Sequence, residues 1–267
     1  MPPAPQEPEV LDPVTGAPAA IRYVGVKKAF GEHEVLRGLD LVVPRGKITF
    51  IIGRSGTGKS VTLKHVMGLL RPDAGRIFVG RDELTRMSER GLRKVRERFG
   101  FVFQHAALFD SMTVFDNVEF PLVEHERLTR RGRKEKVDAL LAAVGMSHAA
   151  EKYPSELSGG MRKRAGLARA LVRDPEFLLY DEPTTGLDPV LAAAMDQLIL
   201  DTQRARPELT SLVISHDMAA VFRIADKVAF LVDGVVKHEA APAVFRAIDD
   251  PLVQQFVTGS LEGPMTV

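Results

Sequence analysis

The chain has 267 residues, 45% of them hydrophobic, a net charge of +1 and no cysteine. That length suits one α/β domain with a subdomain or two small domains, and the near-neutral charge gives no whole-molecule field for nucleic acid or an anionic membrane. Lack of cysteine excludes disulfides, thiolate metal sites and a cysteine nucleophile. No apolar run reaches the ~18 residues of a membrane span, and the N-terminus lacks the basic and apolar regions of a secretory signal, so the chain reads as cytoplasmic.

Residues 1–20 hold six prolines and neither Lys nor Arg, a composition expected to stay disordered as a tail. Folded sequence is expected from Ile21, with strands over 21–26 and 35–43 and a turn at Gly31-Glu32. Phe30, just before that turn, reads by itself as a core aromatic. Residues 48–52 (ITFII) form a short apolar, β-branched run that predicts a buried strand. Directly after it comes Gly53-Arg54-Ser55-Gly56-Thr57-Gly58-Lys59-Ser60. Leu63, Val66, Met67 and Leu70 then fall on one helical face. A glycine-rich loop between a strand and a helix is the context of a phosphate-binding loop. Its amides converge on phosphate oxygens, the helix N-terminus adds partial positive charge, Lys59 reaches the β- and γ-phosphates and Ser60 can ligate Mg²⁺. The plainer reading is a glycine-rich turn with an incidental lysine.

Further along, residues 72–75 read as a turn, 76–79 as a strand, 88–97 as a charged helix and 99–103 as a strand ending at Gln104. Residues 105–112 read as a loop, and 136–144 as a helix closed by Gly145. A mostly helical insert thus separates the Gln104 strand from the next buried strand. Two basic clusters, Arg86, Arg90, Arg93, Lys94, Arg96, Arg98 and Arg127, Arg130, Arg131, Arg133, Lys134, Lys136, are interrupted by acids. They read first as solvated helix faces and second as contacts for anionic lipid headgroups.

Residues 177–180 (FLLY) predict a second buried strand with Asp181-Glu182 at its tip. Carboxylates there, in a chain with a phosphate loop, suit a Mg-nucleotide site: Asp181 for the metal and Glu182 as general base for the attacking water. Alone, the pair would be an acidic turn. Asp188-Pro189 predicts a helix cap and first turn, with Leu191, Met195, Leu198 and Thr202 facing inward. Residues 211–215 read as a third strand before His216, 225–232 and 235–238 as a hairpin, and 242–248 and 252–257 as short helices. Residues 259–267 read as a polar tail. Alternating strands and helices predict a mostly parallel sheet.

At Leu157-Ser158-Gly159-Gly160-Met161 the sequence resembles the ATP-binding-cassette ATPases, whose hallmark is LSGGQ. The resemblance implies an α/β P-loop fold with an antiparallel N-terminal β-subdomain, a mostly parallel core sheet and a helical subdomain over about 105–172, within a domain spanning 21–258. It also implies residue roles. Phe30 matches the adenine-stacking A-loop, residues 53–60 Walker A, with Val61 next to it, and Gln104 the Q-loop beside the metal and water. Asp181 and Glu182 match Walker B, Asp188 the D-loop and His216 the switch histidine. Catalysis would fall to Glu182, His216, Gln104 and Lys59, the metal to Ser60, Gln104 and Asp181. The cofactors implied are ATP and Mg²⁺, held in a homodimer where Walker A of one copy and Ser158, Gly159 and Gly160 of the other enclose each ATP. Met161 departs from the usual Gln, Val61 from a common Thr and Thr185 from a frequent Ser.

Residues 106–118, with Pro121-Leu122, Glu124-His125, the Met after LSGG and the closing PLVQQF…GP, are most similar to ATPases of MCE/Mla phospholipid transporters. That implies a motor peripheral to the cytoplasmic face of the inner membrane, with an integral-membrane permease on the loop after Gln104, an MCE-domain protein in the same complex and no nucleic acid. The alternatives are a small-solute importer ATPase, a soluble cassette acting on DNA or ribosomes, and a nucleotide-gated switch with negligible turnover.

Overall fold

In the computed structural model, residues 10–125 and 128–265 are described. Two sheets share one core. The first is antiparallel, in the order β2-β1-β4-β5, from β1 (Ala19–Phe30), β2 (His33–Pro44), β4 (Ala74–Val79) and β5 (Asp82–Glu83). The second runs β10-β9-β3-β8-β7-β6, from β3 (Ile48–Ile52), β6 (Phe99–Val102), β7 (Phe177–Asp181), β8 (Thr210–Ile214), β9 (Lys227–Val232) and β10 (Val235–Ala240). All its pairings are parallel except that of β10 with β9.

The helices are α1 (Lys59–Val66), α2 (Glu89–Arg96), α3 (Val114–His125), α4 (Arg130–Ala143), α5 (Gly159–Leu171), α6 (Pro189–Ala205), α7 (Met218–Ile224), α8 (Pro242–Arg246) and α9 (Pro251–Thr258). Every residue of β3 and β8 is buried, as expected of central parallel strands covered on both faces. Alternate residues serve different layers. Phe50, Tyr180, Val213 and Phe230 pack with the helical side, while Ile51, Leu179, Leu212 and Leu231 pack with α1 and the antiparallel sheet.

Four expectations need correction. Order begins before Ile21: among residues expected in the disordered tail, Asp12 is 1% exposed and pairs with fully buried Lys227 on β9. Asp12 also accepts from Val14 N, Thr15 N and Thr15 Oγ1, closing a turn, so a long-range charge contact supplies what composition lacked. The expectation for residues 1–9 lies outside the described residues. Second, Val114–His125, given no element of its own within the helical insert, is a helix. It contains Pro121, and Thr113 and Asp116 close its start reciprocally: Thr113 Oγ1 accepts from Asp116 N, and Asp116 Oδ2 accepts from Thr113 N.

Third, α1 stops at Val66, short of Leu70, because Gly68 takes φ +63° with Leu92 packed where a Cβ would project. Fourth, α7 was unforeseen and Leu191 of α6 is 37% exposed rather than inward. The 259–265 part of the tail folds back, with Gln255 Nε2 donating to Met265 O at 3.1 Å and Met265 N donating to Gln255 Oε1 at 2.7 Å; residues 266–267 lie outside the description. Of the basic clusters, Arg86, Arg96, Arg98, Arg131, Arg133, Lys134 and Lys136 have carboxylate partners, as a solvated face would. Arg127 lies outside the described residues.

Candidate nucleotide site

Parallel strands point their C-terminal ends one way, and the chemistry-bearing residues follow those ends. Gly53 follows β3, Gln104 follows β6 by two residues, Asp181 ends β7 with Glu182 next, and His216 lies two residues beyond β8. Residues far apart in sequence therefore share one edge of the sheet, where ligands of open α/β sheets bind.

The loop between β3 and α1 is shaped by its own chain. Gly53 has φ +151°, and a Cβ there would sit 2.3 Å from Leu231 O. Gly58, the N-cap of α1, has φ +98° and offers no side-chain cap. The first backbone bond into the helix is Thr62 N to Gly58 O, at 3.0 Å, so the amides of Lys59, Ser60 and Val61 have no helical acceptor and remain available to an anion. Lys59 is 8% exposed and donates from Nζ to Gly53 O and Arg54 O, both at 2.7 Å. Burial lowers its pKa, opposed by the carboxylates of Glu182 and Asp181. Thr57 Oγ1 also donates to Arg54 O, at 2.9 Å.

Ser60 Oγ donates to Asp181 Oδ1 at 3.4 Å, joining the loop to β7. Burial and the neighbouring Glu182 charge raise the pKa of Asp181, and the Ser60 hydrogen bond opposes that. Glu182 sits at φ +51°. Its Oε2 accepts from Thr185 Oγ1 at 3.1 Å and lies 2.9 Å from His216 Nδ1. The His216 side chain is 65% exposed, the Glu182 side chain 15%, so a solvent-facing imidazole flanks a carboxylate already held in place.

The other expected residues stand further out. Phe30 ends β1 at 48% exposure, with Lys28 Nζ 5.5 Å from its ring centre. Lys28 is held by Asp73 at 2.7 Å, and Asp73 Oδ2 accepts from Ala29 N, which fixes the end of that strand. Asp188 caps α6, accepting from Val190 N and Leu191 N. Ser158 caps α5, accepting from Met161 N at 3.3 Å. Gly159 and Gly160 have ordinary helical φ, and a Cβ at either would meet nothing nearer than 3.7 Å. No described contact joins this triad to the Gly53–Ser60 loop.

Three residues went unnoticed in the sequence. Asn117, fully buried, accepts from Phe109 N and donates to the carbonyls of Phe109, Met112 and Thr113. It thereby staples the loop after Gln104 and presents Phe109 at 45% exposure. Arg169 of α5 donates to Ala106 O and Ala107 O at 2.8 and 2.7 Å, two alanines at positive φ. Lys163 reaches Glu182. An Asn on a helix and basic residues in a signature helix carry no signal that separates them from surface residues.

Known proteins agree with this arrangement. The ABC transporter family model matches residues 36–185, more than half of the chain. The intermembrane phospholipid transport ATP-binding protein MlaF of Escherichia coli is 42% identical over 88% of the chain and 87% of its own length. The probable ribonucleotide transport ATP-binding protein mkl of Mycobacterium tuberculosis is 40% identical over 92% of the chain and 68% of its own length. Among solved structures, an ATP-binding cassette dimer in a post-hydrolysis state with ADP and Pi superposes with TM-score 0.75 at 28% identity, covering 83% of the chain and 98% of that chain. With the phosphate loop, the Asp181-Glu182 strand tip and the Ser158 helix placed as described, the chain belongs to the ABC transporter family, as its ATP-hydrolysing cassette.

Proposed function

We propose that this cassette drives phospholipid movement through an MCE/Mla-type complex of the inner membrane, with ATP cleaved between two copies of the chain. The observation that carries the ATPase part is the meeting of Lys59, Ser60, Asp181, Glu182 and His216 at one sheet edge. The amides of residues 59–61 and Lys59 Nζ hold the triphosphate. Glu182, fixed by Thr185, takes a proton from the attacking water at its carboxylate. His216 and Gln104 orient that water and the terminal phosphate, and Phe30 stacks on the adenine.

Mg²⁺ fits the residues present. A hydroxyl and one carboxylate oxygen, Ser60 Oγ and Asp181 Oδ1, face each other, a sparse hard-oxygen set of the kind Mg²⁺ uses together with phosphate oxygens and water. Among the described residues there is no cluster of three or more acidic, His or Cys ligands. When bound, the ion supplies charge neutralisation for the phosphates.

Two copies are inferred because Gly159 and Gly160 need no glycine for their own chain's sake; a close approach by something outside the chain does need it. The solved cassette in a post-hydrolysis state with ADP and Pi is itself dimeric. Lipid is preferred over ribonucleotide as cargo because the MlaF relatives are matched over 89% and 87% of their own length, against 68% for mkl. A chloroplast relative in Arabidopsis thaliana, 39% identical over 90% of the chain, also carries a diacylglycerol lipid in its name. No described helix is long and apolar enough to cross a membrane, so lipid movement requires a permease. Its docking site is the apolar surface of Phe109 and Val123 after Gln104, with an MCE-domain protein further out in the complex.

The test has two arms. Glu182→Gln should lower turnover roughly 10²–10⁴-fold with ATP binding retained; wild-type turnover would remove Glu182 from its role. Purification from membranes should bring down an integral-membrane protein and phospholipid, and recovery of ribonucleotide cargo in place of lipid would favour the other reading.

A further inference from the structure

One buried charge on α5 is used by none of these roles. Lys163 is 5% exposed, and its Nζ donates to the backbone carbonyl of Glu182 at 3.3 Å. The same carbonyl accepts from Thr185 N, also at 3.3 Å, while Glu182 N donates to Ile214 O at 2.9 Å. Both backbone polar groups of Glu182 are therefore held, and the residue stays at φ +51°. A glutamate adopts that left-handed conformation rarely, and only where its surroundings hold it. Burial lowers the pKa of Lys163, opposed by the Glu182 charge. An ammonium buried against a carbonyl is costly compared with an apolar side chain of the same volume, so packing alone does not account for it.

We propose that Lys163 is a positioning residue for Glu182, tying the general base to the helix that begins at Ser158-Gly159-Gly160. Lys163 lies one turn beyond those residues on a continuous α5. Whatever the N-terminus of α5 engages on a partner copy is thereby linked through one side chain to the backbone of the residue that carries the carboxylate of this chain's own nucleotide site. Each cassette then becomes competent for cleavage when its α5 is seated on the nucleotide held by the other. This reading rests on the Glu182 and Ser158 roles of the proposed function.

Lys163→Met in the full chain is the direct test, read by steady-state ATPase, equilibrium ATP binding and thermal melting. The expected result is a kcat lowered roughly 10–100-fold by misplacement of the base, with ATP affinity and melting temperature near wild type. In a Glu182→Gln background the same change should alter the residual rate less than twofold, because the carboxylate it positions is gone; the two losses are non-additive. Lys163→Gln, which keeps a donor, should recover part of the rate. A folded Lys163→Met with wild-type kcat overturns the proposal, as does a loss that multiplies in full onto Glu182→Gln. So does loss of the melting transition in both Lys163 variants, which would make the residue structural. Wild-type turnover in Glu182→Gln alone would instead sink the proposed function.

Discussion

Two glycine-bearing helix starts, the Gly53–Lys59 loop ahead of α1 and the Ser158-Gly159-Gly160 start of α5, look alike as sequence and differ as structure. The first is demanded by its own chain: Gly53 is pressed against Leu231 O, Gly58 against Val35 and Leu36, and both take φ values closed to other residues. The second is not. Gly159 and Gly160 are helical, with only Leu187 and Leu191 at 3.7 Å, and Ser158 has already capped the helix. One cradle is completed within the chain and filled by Lys59; the other has the form of half a site. Glycine required by internal packing marks a site a single chain builds, and glycine without such a requirement points outside the chain.

Substitutions can separate the two. Gly53→Ala should cost the most, about 2–4 kcal/mol from backbone strain and the clash with Leu231 O together, visible as a large fall in melting temperature. Lys59→Ala should leave the fold intact and weaken ATP binding roughly 10–100-fold, the worth of charge-assisted hydrogen bonds to phosphate, as titration calorimetry would read. Ser158→Ala should remove one cap, about 1 kcal/mol, lowering the melting temperature by a few degrees while isolated-chain ATP affinity holds. Gly160→Ala is the smallest for the chain and the sharpest for the comparison. It should leave stability unchanged or raise it by about 0.5–1 kcal/mol, yet reduce turnover. A Gly160→Ala protein as crippled in folding as Gly53→Ala would erase the distinction.

How much was legible in advance follows from range. The core strands could be read because β-branched runs such as residues 48–52 and 211–214 are short, apolar and bounded by turn residues. The nucleotide-side residues could be read because each lies directly after such a strand. What failed was set by distant partners or by conflicting local signals. Asp12 looked like part of a solvated tail because Lys227 stands 215 positions away. The helix α3 was given no element of its own; it contains Pro121, whose cost is offset by Val118 and Leu122 in the core. Lys163 lay inside an Arg-Lys-Arg run that reads as surface, and only the packing of α5 against β6 turns it inward.

The central claim is that one ATP is enclosed by two copies of this chain, and sedimentation of the Glu182→Gln variant tests it most directly. With ATP present, the account predicts conversion from monomer to dimer, reversed when nucleotide is removed and abolished by a second substitution, Gly159→Arg at the part-exposed start of α5, that leaves monomer ATP binding intact. A chain that binds ATP yet stays monomeric, or a dimer indifferent to Gly159→Arg, would contradict it.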